Sequence, residues 1–150
     1  MPEGANHTPA ADMRRHAAAF VARVASSRLP LDYSVASLRV VDFLIDGLRK
    51  GTTERGRLDG VLFELGAYVG EVLARRAGAV WVDLDAGQRA YFGQGVGVRM
   101  PDGRVWNPLG KVVNRYEVGP EESLRTFYLT LPGRTARRTA EPGGRECAAL

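Results

Sequence analysis

Histidine and cysteine are scarce in this chain, and their scarcity removes most familiar catalytic devices. His7, His16 and Cys147 are the only ones in 150 residues. No intramolecular disulfide and no paired-cysteine metal site can form. A Ser-His-Asp or Cys-His relay would lack a base in the region that reads as folded, apart from His16 in its first helix. Ser34, Ser37 and Ser123 stand at or near helix starts, where capping accounts for them. Lysine is also rare. Of 21 basic residues, 19 are arginine, which with abundant alanine and glycine fits the usage of a GC-rich bacterial genome. No window approaches the roughly 18 to 20 uncharged apolar residues of a membrane span. The apolar run after Met13 superficially resembles a secretion signal, but Arg23 interrupts it. Cysteine usage fits a reducing interior, so the expected location is cytoplasmic.

An excess of one charge sign is missing where it would matter. The isoelectric point near 9.6 invites a nucleic-acid reading, yet residues 1–29 and 133–150 each carry a net +2. The formal +4 of the chain is thereby used up, residues 30–132 sum to zero, and nucleic acid is a disfavoured partner.

What is present is apolar periodicity. Leu62, Leu65, Val69, Val72 and Leu73 recur at helical steps within Leu58 to Arg76, which predicts a long central helix ending near Gly78. Gly66 and Gly70 lie four apart in it, and each costs about 0.5–1 kcal/mol relative to alanine. Another element is therefore expected to cross closely there. Met13, Ala17, Phe20, Val21 and Val24 predict a first helix from Ala10 to about Ser27. Leu38, Val41, Leu44, Ile45 and Leu48 predict a second, with Asp32 or Ser34 as cap and Gly51 as a left-handed terminator. Its flank residues Asp42 and Asp46 read as solvated, at ion-pair spacing from Arg39, Arg49 and Lys50.

The period then changes to two. Residues 79–84 alternate as a strand with Val80, Val82 and Leu84 on one face and Trp81 and Asp83 on the other. Asp85 to Gln88 reads as a turn, Arg89 to Met100 as a second strand, Pro101-Asp102-Gly103 as a hairpin loop and Arg104 to Asn107 as a third strand. That loop would pair Val98 with Trp106. Asn107-Pro108 opens a short helix to Tyr116, and Gly119-Pro120-Glu121-Glu122 opens another carrying Leu124, Phe127, Tyr128 and Leu131. The expected fold is α+β: N-terminal helices, a small three-stranded antiparallel sheet packed on the central helix, and two short C-terminal helices. Residues 1–9 and 132–150 are expected to be disordered, around a single domain at 10–131, with Met13 as an alternative start.

Motifs give little chemistry. Gly93-Gln-Gly95-Val-Gly97 runs toward a hairpin rather than a helix, so it fails as a dinucleotide fingerprint and reads as a bare strip on a strand. Gly110-Lys111 lacks the upstream glycine and following Ser or Thr of a nucleotide loop. Lys111 and Arg115 sit one turn apart and could clamp an anion, although Glu117, Glu121 and Glu122 are expected to neutralise them. Glu64, Tyr68 and Glu71 line one flank of the central helix, the raw material of carboxylate chemistry; seven helical residues set the two glutamate backbones about 10 Å apart, which disfavours a bridged metal but lets long side chains bracket a substrate. Trp81, Asp83, Tyr91 and Arg99 form the candidate partner face of the sheet. No cofactor or metal is implied.

The succession LDYSVASL, LGAYVGEVL, GAVWVDL and NPLGKVVNRYEVGPEESLRTFY resembles a family of small bacterial domains of unknown function, over roughly residues 31–128. The resemblance implies an α+β fold and no activity. Three functions stay open: a non-catalytic binding or accessory domain acting on a protein or a small anionic ligand through Trp81, Tyr91, Lys111 and Arg115; an enzyme using Glu64 and Glu71; and weak nucleic-acid binding by the arginine-rich ends.

Overall fold

Every residue from Leu65 to Leu73 is buried, so the middle of the central helix is enclosed on all sides rather than along one stripe. Full burial of each large apolar side chain there stabilises the fold by about 1.5–3 kcal/mol. In this computed structural model, which describes residues 9–132, that helix is α3, Arg55–Ala77. Around it stand α1, Pro9–Arg23, α2, Leu38–Lys50, and α5, Pro108–Val118, with β1, Val80–Asp83, α4, Ala86–Phe92, β2, Val96–Arg99, and β3, Val105–Trp106, between α3 and α5. A last helix, α6, Leu124–Thr130, packs on α2 and α5. The fold is α+β, as the sequence predicts. Pro9, expected in the unstructured opening, is the first residue of α1. The other expectations for residues 1–8 and 133–150 fall outside the described residues. Among the described residues no helix is long and apolar enough to cross a membrane.

Both glycines of α3 are sites of close approach. A Cβ on Gly66 would lie 2.9 Å from the Cα of Leu109, and one on Gly70 would overlap the six-membered ring of Trp81. The crossing elements are therefore α5 at Gly66 and a strand side chain at Gly70, not a glycine-lightened strand. Gly78 ends α3 in the left-handed region, φ 78°, as expected.

The three strands are antiparallel in the order β1-β2-β3, with Trp81 opposite Val98 and Val98 opposite Trp106. Residues paired in register share a face, so both tryptophans lie on the core side. This corrects the expected alternation of β1, which put Trp81 on the outer face; Val80 is exposed instead. The cause is the slot at Gly70, which admits the indole ring, and Glu71, whose carboxylate accepts the indole N–H at 3.2 Å.

The expected strand from Arg89 is also corrected. Asp85 Oδ1 accepts from the Gln88 N–H at 2.8 Å while Gln88 Oε1 accepts from the Asp85 N–H at 3.0 Å. This reciprocal capping box starts α4, which stops at Gly93, φ 73°. Only Gly97 of the three glycines lies in a strand, where a Cβ would meet the Trp106 carbonyl oxygen at 2.7 Å. The bare glycine strip does not exist. The hairpin at Pro101–Gly103 does, closed by the Met100 N–H donating to the Arg104 carbonyl at 2.8 Å.

Helix ends depart from the sequence reading in two further places. Asp32 and Ser34 cap turns ahead of α2, through the Ser34 and Ser37 N–H groups, and Gly51 is extended rather than left-handed. Residues Pro120–Glu122 make a separate 3-10 turn, and Ser123 caps α6 by accepting from the Thr126 N–H.

Candidate functional site

The carboxylates of α3 separate on folding. Glu64 pairs with Arg23 of α1, accepting from Nη1 at 2.8 Å. Glu71 is only 4% exposed, and its two oxygens go to the Trp81 indole and to Arg75 Nε at 3.1 Å, with Arg14 Nε 3.7 Å away. Between them Tyr68 is fully buried; its hydroxyl accepts from the Tyr33 N–H at 2.8 Å and shares a 2.7 Å hydrogen bond with Ser37. Burial pushes the Tyr68 phenol above its ordinary range, and Tyr33, stacked on it at 4.8 Å, is shifted the same way for the same reason. Tyr33 holds a left-handed backbone, φ 65°, fixed by this stack, by the Arg75 guanidinium 3.7 Å from its ring centre and by Arg76 donating to its carbonyl. All three groups are thus held in structural contacts.

The expected partner face is likewise dispersed. Trp81 packs on Gly70, Asp83 accepts from the Ala10 N–H at the start of α1 at 2.9 Å, and Arg99 is exposed on the face opposite Trp81. Arg115 is no surface cation at all. It is 2% exposed and bound to Asp42 at 3.0 Å and Asp46 at 2.9 Å, so the two aspartates that read as a solvated flank are its partners, in place of the nearby glutamates. Among the described residues no group of three His, Cys, Asp or Glu is placed to hold a metal ion.

Tyr91 and Lys111 are brought together. With α4 a helix, they line one open cleft of about 570 Å³ together with Phe92, Trp106, Asn107, Gly110 and Asn114. Tyr91 is 83% exposed and meets Phe92 edge-on at 5.0 Å. The Lys111 ammonium lies 5.0 Å from the centre of the Phe127 ring and 6.0 Å from that of Trp106, and among the described residues it has no salt-bridge partner. Asn107 fixes the floor. Its Oδ1 accepts from the Gly110 N–H at 2.9 Å and caps α5, while its Nδ2 donates to the Phe92 carbonyl at 3.3 Å at the end of α4. Gly110 is what lets that amide fold over the helix start, since a Cβ there would lie 2.9 Å from Asn107 Cγ.

Sequence reasoning missed Phe92, Asn107 and Asn114 as cleft residues because it drew α4 as a strand. The available signal was the Asp85-x-x-Gln88 capping box. A second groove crosses α1, α3 and α5 as two hollows of about 230 and 300 Å³ that share Phe63, Gln94 and Leu109. Among the described residues its rim carries three carboxylates, Asp12, Asp59 and Glu117, against one cation, Arg55.

Comparison of the chain with protein-family models, with curated proteins and with solved structures gave no match.

Proposed function

We propose that this is a non-catalytic binding domain that takes a small ligand in the cleft between α4 and α5. The observation that carries the reading is Tyr91, a large aromatic side chain left in solvent at the rim of a concavity that also holds an ammonium without a carboxylate partner among the described residues and a second aromatic wall. Exposed aromatic area beside a few fixed polar groups is what recognition sites offer. A cytoplasmic setting belongs to this reading and draws on the cysteine usage alone.

An enzyme built on Glu64 and Glu71 has less support, because each carboxylate is already matched by arginine and the two face different neighbours. Nucleic-acid binding draws its support from the arginine-rich ends of the chain, since the zero net charge of residues 30–132 gives it none.

A fragment screen followed by amide chemical shifts of the full chain tests the proposal. Fragments that carry an aromatic ring should converge on residues 91, 92, 106, 111 and 114, and Tyr91→Ala should weaken them at least fivefold. Hits that map to another surface, or a screen without hits, would refute the cleft as the binding site.

A further inference from the structure

We infer that the ligand of this cleft is a planar aromatic monocarboxylate, a conclusion that rests on the binding reading above. Three features of the lining select it.

The apolar part of the cleft that the described residues form is aromatic. Tyr91, Phe92 and Trp106 line it, and among the described residues no Leu, Ile, Val or Met does. Ring surfaces of this kind favour a flat π system in offset or edge-to-face contact over an aliphatic body of equal area.

The charge that the described residues bring to the cleft is a single cation. Among them Lys111 is the one ionisable side chain of the lining apart from the Tyr91 phenol, and no Asp or Glu lines it. Its ammonium, half-buried over two rings and without a carboxylate partner among the described residues, is an attractor for one negative charge.

The remaining donors are neutral, which limits the size of that charge. The Gly110 and Lys111 N–H groups at the start of α5 are spent on Asn107, one hydrogen of the Asn107 amide goes to Phe92 and one of the Asn114 amide to Glu122 at 3.2 Å, and the Trp106 indole N–H is buried without a partner among the described residues; the second amide hydrogens and the Tyr91 hydroxyl are left. A phosphate dianion, with two charges to match, finds one ammonium and no second cation among the described lining residues. A carboxylate on a ring finds what it needs, the acid on Lys111 and the ring on Tyr91 or Trp106. The same chemistry occurs in a free aromatic acid and in the terminal residue of a peptide that ends in Phe, Tyr or Trp.

The test is a set of titrations of the full chain followed by amide shifts. Phenylacetate should saturate residues lining the cleft with a Kd of about 0.1–1 mM, as befits a small ligand held by one ion pair and one ring contact. Phenylacetamide, which lacks the charge, and cyclohexylacetate, which lacks the flat ring, should each bind at least fivefold more weakly, and inorganic phosphate should move nothing. Lys111→Gln and Lys111→Met should reduce phenylacetate affinity to that of the amide. N-acetylphenylalanine binding at least tenfold tighter than phenylacetate would place the acid on a peptide end. The inference is overturned if either analogue binds within twofold of phenylacetate, if the Lys111 variants bind it unchanged, or if phenylacetate leaves the cleft signals in place. Should other fragments still map to the cleft in that last case, the binding site stands and only its ligand class falls. If nothing maps there, both fall.

Discussion

Asp42 and Arg115 are 73 positions apart in sequence and are joined by a 3.0 Å bond from Nε to Oδ1 that ties α2 to α5. Asp42 does more than neutralise the guanidinium. The same carboxylate accepts from the Leu124 N–H and the Ser123 hydroxyl, both at 3.0 Å, so it also anchors the first turn of α6. Arg115 Nη1 is buried without a partner among the described residues, which leaves the cation dependent on the two aspartates.

Asp42→Ala should therefore cost about 3–5 kcal/mol, the range for stranding a buried charge. Asp46→Ala, whose side chain is 40% exposed, should cost about 1 kcal/mol or less. Urea unfolding measures both. Adding Arg115→Met to Asp42→Ala should recover part of the loss, and strict additivity would show that the pair is not coupled.

The two α3 glycines should respond differently to repair. Gly70→Ala and Gly66→Ala should each destabilise by about 1–3 kcal/mol through overpacking, less up to about 1 kcal/mol regained from helix propensity. Trp81→Leu should rescue Gly70→Ala, because the obstruction there is a side-chain ring. No shortening of Leu109 should fully rescue Gly66→Ala, because the obstruction includes the Leu109 Cα. Thermal melts of the single and double variants decide this.

Tyr68 should give the protein an alkaline limb. Its phenol is held above the ordinary 10.0 by burial, so the folded state retains a proton that the unfolded chain releases. The stability this supplies is complete below pH about 10 and is lost as pH rises toward the folded value. Tyr33 contributes with the same sign. Tyr68→Phe should cost about 1–2 kcal/mol near pH 8 through the orphaned Tyr33 N–H, and that gap should shrink above pH 10. Urea midpoints across this range would show it, and a constant gap would rule it out.

Arg28 offers a gain. It is exposed and left-handed, φ 58°, at the end of the 3-10 turn Ala25–Ser27. Arg28→Gly should relieve that conformation and stabilise by about 0.5–1 kcal/mol, seen as a melting temperature raised by about 2–5 °C.

Elements with a long, regular apolar period were legible in the sequence. The stripe of α3, the faces of α1 and α2, the Asn107-Pro108 helix start and the Pro101–Gly103 hairpin all follow from local chemistry. The pairing of Val98 with Trp106 was legible because hairpin length fixes register. What failed was decided at a distance. Trp81 faces inward because Gly70, eleven residues earlier on another element, leaves room for a ring, and alternation within four strand residues carries no information about that slot. Arg115 is buried because Asp42 and Asp46 arrive from α2. The candidate site was half legible for a related reason. Tyr91 and Lys111 were singled out for exposed aromaticity and charge, but joining them required α4 to be a helix, and its seven residues are too few for periodicity to announce one.

The amide of Asn107 grips the end of one cleft wall and the beginning of the other. A strut of this kind ties the two sides of the aperture together and opposes their separation. Ligand entry should then be a simple encounter, with rates rising linearly with concentration and no slow rearrangement phase. Asn107→Asp, which keeps the acceptor for α5 but has no hydrogen to give Phe92, should loosen the doorway while the helix behind it stays formed.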